Sequence, residues 1–269
     1  MDYNLEQAKI DTLEAKGFLT SDYNNFNKLT TIGEGNGSFA HVKKYKNIAI
    51  RNESMSHSSS HNKFAKDILM KFYENKIIKS EHAMNSDVAF APTIDYALRM
   101  KKEYVRSHYE FMPLIDGITM DKDVNLDHIS KLSPDAIQKY FRDWNELMRV
   151  ALSVDYVKLT NFILTNNAIN FIDLDNMYSK HLPLQRSEPT EKSLLNAAFL
   201  LLNKPYVRHR LSEAEHNRTE IAYKYRELNS RIQNALNSKQ FKNENERALS
   251  YAKSMDIPLI MKGTEVYGL

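Results

Sequence analysis

Cysteine is absent from this chain of 269 residues. Its absence excludes a disulfide framework, a thiolate zinc site and a cysteine nucleophile. It leaves the compartment open, because a thiol-free chain suits reducing and oxidising surroundings alike. No apolar run approaches the roughly 20 residues needed to cross a bilayer, so no membrane span is expected. Residues Met1 to Gln7 lack a basic stretch followed by an apolar one, and no cleaved signal peptide is expected. Export with a non-cleaved signal stays open. An excess of one charge is also lacking. Lys and Arg number 37 against 34 Asp and Glu, a formal net charge of +3 that is scattered along the chain. That pattern describes an ordinary solvated surface and makes nucleic acid an unlikely partner. The nine histidines are dispersed, with His57 and His61 in a serine-rich stretch, and no H-E-x-x-H pair occurs. We read them as surface residues rather than metal ligands.

What is present suffices for a core. Hydrophobic residues make up 42% of the chain, enough for one large domain or two small lobes sharing a cleft. Residues 3–16 read as a polar helix with Leu5, Ala8 and Leu13 loosely on one face. Strand signals follow at Leu29–Ile32, across Phe39, Val42 and Tyr45, and at Ile48–Arg51 after a Lys46-Asn47 turn. Ser54–Ser60 reads as a loop. From His61 to Met84 the positions Phe64, Ile68, Phe72 and Ile77 keep a helical period. Ile94–Met100 and Tyr104–Met112 read as a strand pair turning at Lys101-Lys102-Glu103. Beyond Pro113 and Gly117 the character turns helical. Ser133-Pro134 opens a helix to about Leu152, with Ser as N-cap and Pro at the first position. Phe141, Trp144 and Leu147 recur on it as core residues. Phe162–Leu164 and Ile169–Ile172 flank a turn at Asn166-Asn167, and helices are expected at 190–203, 206–236 and 241–255. The order implies an α+β chain in two lobes divided near 113–118.

Glycine is scarce, seven in all, yet Gly33, Gly35 and Gly37 fall within five residues. Glycines let backbone N–H groups approach phosphate oxygens with no Cβ in the way. A glycine-rich hairpin turn is the plain alternative. No Gly-Lys-Ser/Thr follows, which excludes a P-loop, and the glycines lead into a strand pattern, which argues against a dinucleotide fingerprint. A second pattern runs from Asp155 through Lys158 and Asn161, along Phe162-Ile163-Leu164, and ends at Ile172-Asp173. A hairpin this short brings its ends together, so the amide of Asn161 and the carboxylate of Asp173 could meet one magnesium–phosphate unit; an ordinary hairpin with polar ends is the plain alternative.

Together these segments resemble the protein-kinase-like superfamily, in its compact bacterial, effector-type members. Gly35-Asn36-Gly37-Ser38-Phe39-Ala40-His41-Val42 is similar to G-x-G-x-x-G-x-V, with Ala40 at the last glycine. Asp155 to Asp173 resembles the catalytic loop and the magnesium-binding strand end. The resemblance spans about Leu29 to Asp175. It implies a bilobal fold with a β-rich N-lobe holding one helix and a mostly helical C-lobe. Residues 1–27 would be a helical extension, 28–112 the nucleotide-binding lobe and 113–269 the catalytic lobe. ATP and Mg2+ would be the cofactors. Gly35, Gly37, Ser38 and Phe39 would cover the phosphates, Val42 would pack on adenine and the Met112 backbone would meet it at an inter-lobe hinge. Asn161 and Asp173 would bind metal, Asp155 would take the substrate proton and Lys158 would neutralise the transferring phosphoryl group. A protein Ser/Thr hydroxyl is the expected acceptor. A sugar or other small-molecule kinase, or a pseudokinase that binds nucleotide or a partner, is the alternative. The resemblance also implies a soluble protein of the bacterial cytoplasm, or one secreted into a host cell.

Three departures stand out. Asp155 lies six residues before Asn161 where the family has five. Arg51 ends Ile48-Ala49-Ile50-Arg51 where the family has lysine, which leaves Arg51, Lys44 or a damaged site as alternatives. Asp173 is followed by Leu174-Asp175 with no glycine, and Asp175 is either a second ligand or a turn cap. Glu74, in the middle of the helix, is preferred to Glu81 as the expected carboxylate partner, with a solvated surface glutamate as the alternative. Arg208, Arg210, Arg218, Arg226 and Arg231 form either a partner-facing stripe or a solvated helix face.

Overall fold

The structure, a computed structural model, describes residues 3–22, 24–34, 40–55, 64–119, 128, 131–150, 152–154, 159–165, 168–175, 227, 230, 231, 234, 238, 239, 243, 259–262 and 265–268. The chain is mixed α and β and divides into two units. One comprises Met1–Asn85 with Ala91–Asp116, the other Ser86–Phe90 with Gly117–Leu269. Residues 1–27 are thus part of the first unit, together with the strand-rich segment that follows them.

The first unit is built on an antiparallel five-stranded sheet in the order β1-β2-β3-β5-β4. The strands are β1 (Thr30–Glu34), β2 (Ala40–Tyr45), β3 (Ile48–Ser54), β4 (Asp95–Lys101) and β5 (Tyr104–Pro113). Helix α1 (Leu5–Ser21) precedes the sheet, followed by the short α2 (Asn25–Lys28), and α3 (Ala65–Met84) lies between β3 and β4. Asn4 caps α1, its side-chain oxygen accepting the Gln7 N–H at 3.1 Å. The helix extends past the expected end at 16, and its buried face keeps Ala8 of the expected one but not Leu13. Ala8, Asp11, Thr12, Ala15 and Leu19 are buried, while Leu13 is 70% exposed. Small side chains let α1 sit close to the sheet, where it packs with Phe26 on Ile48, Ile50, Tyr109 and Phe111. Asp11 ties the helix to the β2–β3 turn: its carboxylate accepts the Asn47 backbone N–H at 3.2 Å and the Asn47 side-chain amide at 2.9 Å. Burial works to raise the Asp11 carboxyl, but bonds from Gln7 and Asn47 and the Lys46 charge outweigh it and hold it below the usual range.

Side chains alternate across a strand, so the opposite face of the sheet carries Arg51 and Glu53 on β3 and His108, Glu110 and Met112 on β5. This face is polar, and it is the one α3 covers. The expected apolar stripe is only partly turned inward: Phe64 and Ile68 are exposed, Phe72 and Ile77 are half-buried, and the buried positions are Ala65, Tyr73, Lys76, Ser80 and Ala83. Tyr73 stacks on Tyr96 with ring centroids 4.9 Å apart, and Ser80 Oγ accepts the Thr93 N–H at 3.2 Å.

In the second unit, α4 (Pro134–Arg149) begins at the expected signal, with Ser133 Oγ accepting the Ala136 N–H at 3.1 Å. It holds the 86–90 segment through polar side chains. Asp143 accepts the Ala89 N–H at 3.1 Å, Lys139 donates to the Asp87 carbonyl at 2.6 Å and Ser86 donates to Glu146 at 2.6 Å. Strands β6 (Ile118–Thr119), β8 (Phe162–Leu164) and β9 (Ile169–Phe171) form one sheet in the order β6-β8-β9. Strands β7 (Ser153–Val154) and β10 (Leu174–Asp175) pair separately. An aromatic cluster joins α4 to the hairpin, with Tyr140 stacked on Phe171 at 5.1 Å and Trp144 at 5.9 Å from the same ring. Phe141 and Leu147 are buried too, as their spacing implied. A further hairpin, β11 (Leu259–Lys262) with β12 (Glu265–Gly268), was not anticipated. Within the expected helices beyond 190, residues 227, 230, 231, 234 and 243 are described and all are helical; the rest lie outside the described residues. Of the arginine stripe only Arg231 is described, and it donates to the Leu132 carbonyl at 2.6 Å. Among the described residues no helix is long and apolar enough to cross a membrane.

Candidate functional site

Residues Leu159–Asn161 form a single 3-10 turn that feeds directly into β8. Phe162 pairs with Phe171, Leu164 pairs with Ile169, and the Thr165 N–H closes the hairpin on the Ala168 carbonyl at 3.0 Å. One further bond extends the ladder beyond the strands: the Ile172 N–H donates to the Asn161 carbonyl at 2.9 Å. Residues 161 and 173 therefore lie at the same end of the hairpin. Asn161 is 4% exposed, and Asp173 is half-buried. Asp173 also has a positive φ of 58°. A non-glycine residue in that region is uncommon, although Asp tolerates it, and such positions cluster at functional sites. Immediately afterwards Leu174 pairs with Val154 and Asp175 with Ser153. Asp175 is thus a strand residue. Asp155 follows Val154 directly in sequence; Asp155 and Lys158 themselves lie outside the described residues.

Gly117 supports this hairpin in a way its sequence context did not reveal. A Cβ there would meet Ile163 Cγ2 and the Leu164 carbonyl oxygen, each at 2.6 Å. Only glycine lets the backbone pass so close. The sequence marked it merely as a break before the helical region.

The first unit holds the other expected site residues. Gly35, Gly37, Ser38 and Phe39 lie outside the described residues, between the end of β1 and the start of β2. Val42 is half-buried on β2, paired with Gly33 on one side and Arg51 on the other. Met112 is buried on β5 opposite Ala49, and the strand continues through Pro113 before the unit ends at Asp116. Glu74 is exposed on α3, near Tyr96. The charged side chain that α3 buries against the sheet is Lys76 instead, 2.7 Å from Glu110 with both almost fully buried. Arg51 forms an ion pair with Glu53. Its cross-strand partner in the β3–β5 register is Glu110.

The electrostatics follow from this crowding. Burial pushes the Glu110 carboxyl up, but the charges of Lys76 and Arg51, with hydrogen bonds from Lys76 and Thr93, hold it below the usual range. Burial pushes the His108 imidazole down, against the opposing pull of Glu53 and Glu110. Its Nδ1 lies 2.6 Å from the Tyr73 hydroxyl and its Nε2 3.6 Å from Glu53. The sequence reading missed Lys76 and Glu110. The available signal was their spacing, since Tyr73, Lys76 and Ser80 recur at helical period on one face of α3.

Among the described residues, no group of three or more His, Asp or Glu side chains gathers as a metal-binding cluster. Asn161 and Asp173 supply one amide oxygen and one carboxylate. That hard donor pair suits magnesium, which usually keeps waters and binds through one or two carboxylates plus substrate phosphates. Compared with protein-family models and with curated proteins, the chain matches none.

Proposed function

We propose that the chain is an ATP-dependent phosphotransferase of protein-kinase-like fold that phosphorylates Ser or Thr hydroxyls of a protein. The observation that carries this reading is the hydrogen bond from the Ile172 N–H to the Asn161 carbonyl at 2.9 Å. It puts a candidate amide ligand and a candidate carboxylate ligand at one end of one hairpin, with Asp173 in a backbone conformation typical of functional sites. The first unit adds support. Its glycine pattern falls at the β1–β2 connection and its cation, Arg51, lies on β3 with a helix following, the places the kinase pattern assigns to phosphate-covering glycines and a phosphate-binding cation.

In this reading Asn161 and Asp173 hold magnesium, which neutralises charge on the ATP phosphates. Gly35, Gly37, Ser38 and Phe39 cover those phosphates, and Val42 and the Met112 backbone meet the adenine. The acceptor oxygen attacks the γ-phosphorus, the bond to the ADP oxygen breaks, and the acceptor proton passes to Asp155. Lys158 balances charge on the phosphoryl group in flight. Positioning and electrostatics supply most of the acceleration in such transfers. Purified protein with magnesium and γ-labelled ATP is expected to label itself or a protein acceptor, and Asp173→Ala is expected to abolish labelling. Transfer retained by that variant refutes the assignment.

A second reading has a specific observation behind it. Arg51 stands where a lysine is usual and is ion-paired to Glu53, which suits a module that binds nucleotide without turning it over. ATP-dependent thermal stabilisation with no label transfer would mark that outcome.

A further inference from the structure

We infer that Asp11 is a positioning residue for the segment on which adenine would lie: through Asn47 it fixes Leu114, where the chain leaves the sheet. The ligand in this inference rests on the phosphotransferase reading, whereas the geometry lies within the first unit alone. Contacts in series make the link. The Asp11 carboxylate accepts the Asn47 backbone N–H at 3.2 Å and the Asn47 side-chain amide at 2.9 Å. The Asn47 carbonyl in turn accepts the Leu114 N–H at 2.9 Å. Ile48 stands opposite Pro113 in the β3–β5 register, and proline has no N–H to give. The Leu114 bond is thus what ties the chain beyond Pro113 to the β2–β3 turn.

That turn has to be held. Tyr45 pairs with Ile48, so Lys46 and Asn47 alone form the loop, and Lys46 takes a φ of 49°. Two-residue turns usually place Gly, Asn or Asp at such a φ, and a lysine there persists only where surrounding contacts hold it. Helix α1 supplies those contacts: Glu14 pairs with Lys46, and Asp11 holds Asn47. Asp11 is 1% exposed and takes a third bond, from the Gln7 side-chain amide at 2.9 Å, so its carboxylate is itself fixed. Ala8, Ala15 and Leu19 on the same helix share a core with Ile48, the residue after Asn47. Asn47 is therefore bonded through both of its backbone groups, and one residue separates Asp11 from Leu114.

The test follows the Leu114 amide nitrogen-15 resonance in the full chain, assigned by its loss in Leu114→Met. Binding of MgATP and of magnesium tripolyphosphate, which lacks the base, is measured in parallel. Asp11→Ala is expected to move the Leu114 resonance and to speed exchange of its amide hydrogen. It should weaken MgATP about tenfold and leave tripolyphosphate unchanged. Asp11→Asn keeps an oxygen for Asn47 and should restore both readouts. Asn4→Ala weakens α1 at its cap without touching Asn47, and should leave both as in the native chain. A Leu114 resonance unmoved by Asp11→Ala overturns the inference. So does MgATP weakened no more than tripolyphosphate, or the same change produced by Asn4→Ala. Should Asp11→Ala not fold, Asn47→Ala decides, because it removes one of the two bonds to Asp11. MgATP about threefold weaker relative to tripolyphosphate is then expected, and an unchanged ratio overturns the inference. If Leu114 responds as stated but no form binds MgATP, the hold on the segment stands and the phosphotransferase reading fails.

Discussion

Asp143→Asn should remove a pH-dependent penalty from the second unit. Asp143 is buried on α4, where its carboxylate accepts the Ala89 N–H and the Lys139 ammonium, both at 3.1 Å. Burial raises its pKa, the Lys139 charge and the two hydrogen bonds lower it, and Asp87 raises it again; burial prevails, and the carboxyl is pushed up to about 6. Lys139 loses because a third of its side chain is in solvent, where its charge is screened, and it also donates to the Asp87 carbonyl. A raised carboxyl pKa means that the folded state binds the proton more tightly than the unfolded state. Its stabilising contribution is complete below the ordinary value of 3.8 and is lost as pH rises through about 6. The gap between those values, at about 1.4 kcal/mol per unit, makes the loss about 3 kcal/mol. Urea unfolding from about pH 4 to about pH 8, followed by the fluorescence of Trp144, reports on this unit, since that sole tryptophan packs on Phe171. The Asn variant keeps an oxygen for the Ala89 N–H and has nothing to titrate. The difference between the two proteins should therefore move by about 3 kcal/mol in favour of Asn as pH rises. A difference that does not change with pH refutes the reasoning.

Other expectations rest on single contacts. Gly117→Ala drives a methyl group into the Leu164 carbonyl and should cost about 1–3 kcal/mol by urea midpoint; an unchanged midpoint would contradict the close approach. Asp11→Ala strands the Asn47 N–H and should cost about 1–3 kcal/mol at neutral pH. Because the Asp11 carboxyl is held low, its contribution is present above the ordinary carboxylate range and fades as pH falls through its lowered value, so the deficit in melting temperature should shrink in acid. Asp173→Gly should be about 1 kcal/mol more stable than Asp173→Ala, because glycine adopts the φ of 58° without a Cβ penalty. Equal stabilities would argue against backbone strain there, while both variants should lose phosphoryl transfer.

Several features were legible without coordinates because they are local. The Ser133-Pro134 signal places the start of α4, since capping chemistry involves residues three apart. The Lys46-Asn47 turn joins β2 to β3, and Lys46 there takes the positive φ that the turn demands. The hairpin from Phe162 to Phe171 shows as two apolar runs around a turn, so that residues 161 and 173 fall at one end of it needs only a strand period and a loop length.

Periodicity found only part of the buried faces. It selected Ala8, which is buried, and Phe72 and Ile77, which are half-buried, but also Leu13 on α1, Phe64 just before α3 and Ile68 on it, all three exposed. An apolar stripe identifies a helix but not its neighbour. The sheet decided the matter: its apolar face accepts the small side chains of α1, and its charged face accepts Tyr73, Lys76 and Ser80 of α3. The pairing of Lys76 with Glu110 spans 34 residues of chain, and no local rule anticipates it. Gly117 likewise looked like punctuation until the passing strand made its missing side chain a steric necessity. Local chemistry wrote the turns, caps and strand periods into the sequence. The tertiary structure alone decided which charges are buried together, because burial depends on what the other side of the fold presents.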